Sequence, residues 1–210
     1  SYLVMTQKEI KLFANEKAFP AEVLDALAKD GVTLLPYDSI YEYVKTFAKD
    51  MKVLLCKQKA NSRLVSNIPA EVEILDEENL TLLPKAIKNP VEVENERIAH
   101  IRDGVALTKF IYWLKKNVGK IPMTELSAEE KLYSFRAQQE NFIDNSFDPI
   151  SSYGVHAAIN HYSATPETDI PIEPRSFLLA DTGGNYYEGT TDTTRTIVMG
   201  PVTDEQKKFF

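Results

Sequence analysis

Two aspartates near the end of the sequence are the residues best placed to do chemistry. Asp181 and Asp192 stand eleven residues apart in "DTGGNYYEGTTDTTRT", surrounded by glycine and threonine. Asp181 follows the apolar run "FLLA", and Asp192 begins a second strand-like run, "DTTRTIV". If the two runs pair as antiparallel strands, both carboxylates can face one side of the sheet. Facing carboxylates repel each other unless they share a proton or a cation, and hard divalent cations favour such oxygen ligands.

A simpler interpretation stays open, because Asp beside Gly and Thr commonly accepts backbone hydrogen bonds at the end of a loop. His161 lies in the strand-like segment "AAINHYS" (157–163) and is equally open. A single histidine among strands is commonly a structural residue, whereas an accessible imidazole can transfer protons near neutral pH. His156 carries a weaker signal, and His100 is expected in solvent on a long helix.

The elements that must position these residues predict an α+β arrangement. Asn89 and Glu92 are typical of a helix start, and this long helix should run to about Val118. A second helix is predicted over "TELSAEEKLYSFRAQQE" (124–140). From Phe147 onward, short segments rich in β-branched and aromatic residues alternate with Gly, Pro or Asp, which indicates antiparallel strands.

The long helix carries two apolar faces, so we expect its later turns to be covered on two sides. One face consists of Ile98, Ile101, Val105 and Tyr112, and the other of Leu107, Phe110, Ile111 and Leu114.

The first part of the chain predicts an α/β domain. An opening hairpin is followed by a helix between Pro20 and Gly31, and then by the strand-like runs "VTLLPY" and "KVLLC". Two prolines bracket the basic, turn-prone stretch "LLPKAIKNP", which places a domain boundary near Lys85. The predicted domains are therefore residues 1–85 and 86–210. No Gly-x-Gly-x-x-Gly motif follows a strand, so a dinucleotide-binding fold is not indicated.

Composition narrows the class of protein. The chain has 210 residues, is 43% apolar and 26% charged, and carries a formal net charge of −7. It has no apolar run of membrane-spanning length and no long Lys/Arg block, so neither a membrane nor nucleic acid is an expected partner. The single Cys56 lies in an apolar run and is expected to be a small buried hydrophobe. One cysteine and no signal peptide favour a reducing cytoplasm.

The stretch "LLADTGGNYYEGTTDTTRT" resembles the metal-binding hairpin of the Xaa-Pro aminopeptidases (aminopeptidase P), in the pita-bread metallopeptidase family. Three further segments resemble the same family: "KAIKNPVEVENERIAHIRDGVALTKFIYWL", "TELSAEEKLYSFRAQQENF" and "SFDPISSYGVHAAINHYSATPET". Residues 1–85 are similar to the latter part of the preceding domain. The implied fold is a partial creatinase/prolidase-type α/β N-terminal domain followed by the α+β N-terminal half of a pita-bread domain.

By this resemblance, Asp181 and Asp192 are metal ligands of a site for two divalent ions, commonly Mn²⁺, and His161 is a catalytic residue that contacts the substrate or shuttles protons. The implied activity is hydrolysis of the N-terminal Xaa-Pro bond by a hydroxide that two metals activate. The expected partners are peptides with proline in the second position and a second copy of the chain in a homodimer. The expected location is the cytoplasm.

The sequence departs from the family pattern at two positions before the histidine. His156 stands where the family usually has asparagine, and Asn160 where it has an apolar residue. The family also completes its metal site with a histidine and two glutamates farther downstream, which residues 1–210 do not include. We therefore expect this chain alone to be inactive. The alternatives are an Xaa-Pro dipeptidase (prolidase), which shares the metal ligands, and a non-enzymatic pita-bread interaction module; the metal-free creatinase branch has no need for both aspartates.

Overall fold

The computed structural model describes residues 1–210, which form two compact units, Ser1–Ile87 and Lys88–Phe210. The boundary predicted near Lys85 lies close to this division. Both units mix helices and strands, which agrees with the predicted fold class. None of the helices combines the length and the apolar character that crossing a membrane requires.

The first unit has a small mixed sheet. Its elements are β1 (Tyr2–Met5), β2 (Ile10–Ala14), α1 (Ala21–Lys29), β3 (Val32–Pro36), α2 (Ile40–Tyr43), β4 (Lys52–Leu54), α3 (Ser62–Asn67), β5 (Glu73–Leu75) and α4 (Leu82–Ala86). β1 and β2 form the predicted hairpin, and β3 joins β2 in parallel. β4 and β5 make a separate parallel pair. Phe13, Ile40 and Val44 are buried at the centre of this unit.

The second unit contains all the candidate site residues. Its elements are α5 (Pro90–Asn117), α6 (Glu125–Arg136), β6 (Phe142–Asn145), β7 (Ile150–Tyr153), β8 (Phe177–Thr182), β9 (Gly184–Tyr186), β10 (Thr193–Val198) and α7 (Asp204–Phe209). β8 is the central strand of an antiparallel sheet with the order β10-β8-β7, and β6 pairs with β9.

The start of α5 confirms the predicted helix boundary. Asn89 accepts a hydrogen bond from the backbone of Glu92 at 2.9 Å, and the Glu92 carboxylate accepts one from the backbone of Asn89 at 2.8 Å. This reciprocal pair satisfies two N–H groups that the first turn leaves without helical partners. At the other end the helix gives way at Val118 to Gly119, which has a φ of +75°.

Only one face of α5 is covered, so the expectation of two covered faces is wrong. Leu107, Phe110 and Leu114 are buried in the core of the second unit. Ile101 and Tyr112 are 67% and 64% exposed. The reason is that α6 and the sheet both pack on the Leu107 side of the helix.

The two faces of the central sheet have different surroundings. Successive side chains of β8 alternate, and Leu178, Ala180 and Thr182 are buried on the face toward the helices. Leu132 of α6 belongs to the same core. Asp181 therefore points to the opposite face, where it is half-buried.

The segment 157–163 is not a strand, which corrects the prediction for the residues around His161. A 3-10 helix covers Gly154–Ala158, and a turn follows that includes His161. Gly154 has a φ of +56° and His161 a φ of +55°, so both lie in the left-handed region, which a strand cannot contain. The side chains of His156 and Tyr162 both turn toward α6, which draws the segment away from an extended path.

Candidate metal centre

Asp181 lies near the end of β8, and Asp192 directly precedes β10, which is the antiparallel neighbour of β8. Thr194 of β10 lies directly opposite Asp181 of β8, and its hydroxyl donates to Asp181 Oδ1 at 2.6 Å. Asp192 comes two residues before Thr194, immediately before β10 begins. The alternation of side chains, continued past the end of the strand, predicts that Asp192 faces the same side as Asp181. The Asp192 carboxylate is exposed and makes no hydrogen bond or ion pair.

A small hairpin between the two strands accounts for their separation in sequence. β9 turns back at residues 187 and 188, since Tyr186 and Gly189 exchange backbone hydrogen bonds of 2.9 and 3.2 Å. Thr191 then returns beside Gly184, with a backbone hydrogen bond of 2.9 Å from the Thr191 N–H to the Gly184 carbonyl. The hairpin therefore contains residues 183–191 and returns the chain to a position beside Asp181.

Gly183 joins β8 to this hairpin at a point where no side chain fits. A Cβ atom there would lie 2.0 Å from the carbonyl oxygen of Thr191 and 2.2 Å from Ser146 Oγ. The same two groups are joined to each other by a hydrogen bond of 2.9 Å from Ser146 Oγ. Glycine is therefore required here by close packing of the backbone.

Beneath the hairpin, Arg136 ties the strand that carries Asp181 to both long helices. Its side chain is completely buried and donates to both carboxylate oxygens of Asp103, from Nε at 2.7 Å and from Nη2 at 3.3 Å. Nη2 also donates to Thr182 Oγ1 at 2.9 Å. Thr182 is the neighbour of Asp181, so Arg136 holds the side chain next to the candidate ligand.

Asp103 extends the same network to β9. The hydroxyl of Tyr186 donates to Asp103 Oδ1 at 3.1 Å. Burial, and secondarily the negative charge of Asp103, raise the pKa of Tyr186, so its hydroxyl remains a neutral donor over the physiological range. Thr182, through Arg136, and Tyr186 thus connect the first arm of the 181–192 hairpin to one buried carboxylate.

Glu188 in the turn of the hairpin contacts side chains of two other segments. Asn141 Nδ2 and Arg102 Nη1 each lie 2.5 Å from Glu188 Oε1. The hydrogen bond from Asn141, followed by that from Arg102, lowers the pKa of Glu188 and keeps it ionised.

His161 lies on the surface in the turn after the 3-10 helix, and its side chain makes no hydrogen bond. Residues just before it line an open groove of about 700 Å³ that runs along the Asp181 face of the sheet. Val155 and Ala157 line one side of this groove, and Leu179 and Thr196 line the sheet side. Leu179 and Thr196 are paired and lie two residues from Asp181 and Thr194 respectively.

The donor chemistry of this face suits hard divalent cations, because it offers carboxylate and hydroxyl oxygens. Within residues 1–210, no three side chains of His, Cys, Asp or Glu come together as a group that could hold a metal ion. Asp181, Asp192 and His161 accordingly do not form such a group.

Several residues of this region give no local signal in the sequence. Asp103 and Arg136 are 33 positions apart, and Glu125 and Tyr162 are 37 positions apart. Because the partners of each contact are so far apart in sequence, no local pattern indicates that they meet. The one available sign was Arg136 within "FRAQQ", a stretch that resembles the aminopeptidases.

Comparison with known protein families and curated relatives gives a consistent result. Residues 94–210 match Metallopeptidase family M24, and residues 1–92 match the Creatinase/Prolidase N-terminal domain. A probable Xaa-Pro aminopeptidase P from Ajellomyces capsulatus is 35% identical over 225 residues, covering 100% of this chain and 36% of the relative. A protein of the same description from Coccidioides posadasii is also 35% identical, over 220 residues. The chain thus spans about a third of the length of these relatives.

Solved structures resemble this one along almost its whole length. The X-prolyl aminopeptidase of Caenorhabditis elegans, described as a cytosolic enzyme with a di-nuclear active site, has a TM-score of 0.87 and 27% identity over 97% of this chain and 34% of its own. The Xaa-Pro dipeptidase of Bacillus anthracis has a TM-score of 0.73 at 20% identity, covering 98% of this chain and 56% of its own. This second likeness supports the predicted fold.

Proposed function

Because this chain belongs to metallopeptidase family M24, we propose that it supplies part of the catalytic machinery of an Xaa-Pro aminopeptidase. Its substrates are peptides with proline in the second position, and the reaction releases the residue before that proline. Asp181 and Asp192 are the metal ligands of this chain, and His161 is the catalytic residue on the substrate side. Mn²⁺, a cytoplasmic location and a homodimer belong to the same proposal.

The observation that carries this proposal is the pairing of β8 with β10, which sets Thr194 opposite Asp181 and starts the strand directly after Asp192. Two carboxylates on one face would repel each other, and divalent cations bound between them would remove this repulsion. The alternative, in which each aspartate only accepts backbone hydrogen bonds, does not explain why they share a face. When bound, such cations would lower the pKa of water and polarise a scissile carbonyl. Thr194 holds one oxygen of Asp181 by its hydroxyl, which leaves the other free to bind.

The groove supports a peptide substrate. It runs along the same face, between the sheet and the wall formed by Val155 and Ala157. An Xaa-Pro bond has no N–H at the proline and constrains the residue before it, so the shape of the groove can contribute to its recognition. His161 follows this wall by a few residues and is free to contact the substrate or move a proton.

Substitution of the proposed ligand tests this function in a form of the protein that cleaves Xaa-Pro-Xaa peptides. With Mn²⁺ present, Asp192→Asn should lower kcat/KM by at least ~100-fold, since a metal-dependent hydrolysis loses much of its metal. Asp144→Asn is the matched control, because Asp144 is exposed on β6 and accepts only from its own neighbour's backbone. Equal activity of the two variants would refute the ligand assignment and favour a non-enzymatic interaction module.

Substrate length separates the aminopeptidase from a dipeptidase. An aminopeptidase should cleave Xaa-Pro-Xaa tripeptides and longer chains, detected as release of the first amino acid. Cleavage of Xaa-Pro dipeptides alone would show that the prolidase alternative is correct.

A further inference from the structure

Glu125, the first residue of α6, has a carboxylate that is fully buried and held by the segment after β7. The Tyr153 N–H donates to its Oε1 at 2.7 Å, and the Tyr162 hydroxyl donates to its Oε2 at 2.9 Å. His156 Nδ1 lies 3.1 and 3.0 Å from the two oxygens. A buried carboxylate without such partners is strongly unfavourable, so these contacts are expected to be present whenever the unit is folded.

These partners bracket the residues that face the groove. The rings of His156 and Tyr162 pack against each other with their centroids 4.5 Å apart. Residues 157–161 therefore form a short loop whose two ends are attached to one carboxylate. Val155 of the groove wall immediately precedes the anchor His156, Ala157 of the wall is the first residue of the loop, and His161 is its last residue. A loop this short has few conformations once both ends are fixed.

The far side of the segment is attached to the same helix end. Asp169 Oδ1 accepts from the backbone N–H of Leu126 at 3.1 Å, and Thr168 Oγ1 lies 3.2 Å from the Tyr162 hydroxyl. The N-terminal turn of α6 is thus the common support for the chain before and after His161.

The contact between His156 and Glu125 orients the imidazole. Nδ1 lies within hydrogen-bond distance of both carboxylate oxygens, and a protonated Nδ1 can donate to them. An asparagine side chain could also donate to the carboxylate, but it has no ring to pack on Tyr162. The imidazole therefore holds the loop by two contacts where an amide offers one.

We propose that Glu125 and His156 are positioning residues that place His161 for the reaction. This inference rests on the proposed function of His161. It assigns to His156 a role that depends on its ring as well as on its hydrogen bond.

The kinetic test is a double-mutant cycle in a form of the protein that cleaves an Xaa-Pro-Xaa peptide with Mn²⁺. His156→Asn should lower kcat/KM about 10- to 100-fold, the range seen when a supporting partner of a site residue is removed. In a His161→Ala background the same change should alter kcat/KM less than twofold, because the residue being positioned is gone. An undiminished effect in that background, or no effect in either, would overturn the proposal.

A second readout needs no activity and is made on residues 1–210. His156→Asn should shift the imidazole resonances of His161 in a ¹H–¹³C NMR spectrum, whereas His100→Asn, on the exposed face of α5, should leave them in place. If His161 does not respond, the positioning role is wrong even when the peptide is cleaved. If His161 responds but the protein cleaves no Xaa-Pro peptide, the proposed function fails and the anchoring stands.

If His156→Asn does not fold, Tyr162→Phe is a second variant that tests the same anchoring by Glu125. It removes only the hydroxyl that donates to Glu125 and retains the ring packed on His156. We expect a smaller fall in kcat/KM, of about 3- to 10-fold, again absent in the His161→Ala background. A fall that persists there would count against the role of Glu125.

Discussion

Replacing Arg136 by methionine should strongly destabilise the second unit, because it leaves a buried carboxylate without its cation. The guanidinium has no exposed surface, and its partner Asp103 is only 3% exposed. Methionine fills much of the same volume but leaves the Asp103 carboxylate buried and without its cation. Removing one partner of a buried ion pair costs about 3–5 kcal/mol, and a domain of this size is stable by about 5–15 kcal/mol in total.

The geometry also predicts that lysine cannot replace this arginine. Arg136 contacts both oxygens of Asp103 and the hydroxyl of Thr182 through two different nitrogens. A single ammonium group cannot reproduce this planar arrangement, so Arg136→Lys should cost about 1–3 kcal/mol although the charge is kept.

Urea unfolding followed by the fluorescence of Trp113 measures this effect directly. Trp113 is the only tryptophan of the chain and lies in α5, so its signal reports on the second unit. With a urea dependence of about 1–3 kcal/mol per molar, the loss of about 3–5 kcal/mol predicted for Arg136→Met moves the midpoint down by about 1–5 M. Arg97→Met is the matched control, because Arg97 and Glu94 are 68% and 62% exposed and such a pair contributes little.

A double variant distinguishes a lost ion pair from lost packing. Asp103→Asn removes the negative charge but keeps an oxygen that can accept from Tyr186, so the stranded charge is absent from Asp103→Asn/Arg136→Met. We expect the double variant to be more stable than Arg136→Met by about 2 kcal/mol. If the two losses simply add, or if Arg136→Met behaves like Arg97→Met, the electrostatic argument is refuted.

Three further predictions concern the same unit. Burial raises the pKa of the Glu129 carboxyl from 4.5 to about 7, so the folded state holds an extra proton between these values and its stability falls as pH rises through that window. Glu129→Gln should therefore raise the urea midpoint relative to wild type at pH 8 and much less at pH 5; a gain equal at both pH values would contradict this. Gly183→Ala should lower the midpoint by more than 1 M, since its Cβ would lie 2.0 Å from a carbonyl oxygen, and a change within error would show that the hairpin can relax. Titration of residues 1–210 with Mn²⁺ should show only weak binding, with a Kd above about 10⁻⁴ M, that Asp181→Asn abolishes. Binding unaffected by this change would contradict the role of Asp181 as a ligand, and tight binding would contradict the expectation that so few ligands hold the ion weakly.

The parts of the fold that the sequence predicts are those that depend on neighbours in the chain. Asn89 and Glu92 satisfy each other three residues apart, and the structure has the helix start that they indicate. The apolar run "FLLA" before Asp181 and the strand-like run "DTTRTIV" that Asp192 begins lie in strands that pair antiparallel, as expected from the sequence. Local chemistry was sufficient in both cases because the interacting groups are close in sequence.

The parts that were missed depend on contacts between distant residues. A strand was the natural expectation for 157–163, because its residues have ordinary strand preferences. Glu125 overrides those preferences from 31 and 37 positions away by offering a buried carboxylate to His156 and Tyr162. Likewise, no residue near Asp103 or Arg136 in the sequence indicates that the two will be buried together. The expectation that two faces of α5 are covered was wrong because apolar periodicity does not show which faces pack against another element.

These long-range polar contacts share one feature that bears on function. Arg136 holds the side chain of Thr182 beside Asp181, and Glu125 contacts the residues at both ends of the loop that ends at His161. A buried charge tolerates few geometries, since each alternative leaves it without a partner, whereas apolar side chains can repack at small cost. We infer that these buried ionic groups serve to position the two segments that carry the candidate ligand Asp181 and the candidate catalytic residue His161. On this argument, replacing either network by well-packed apolar residues could retain the fold while loosening the site, so the stability of such variants should be separable from their activity.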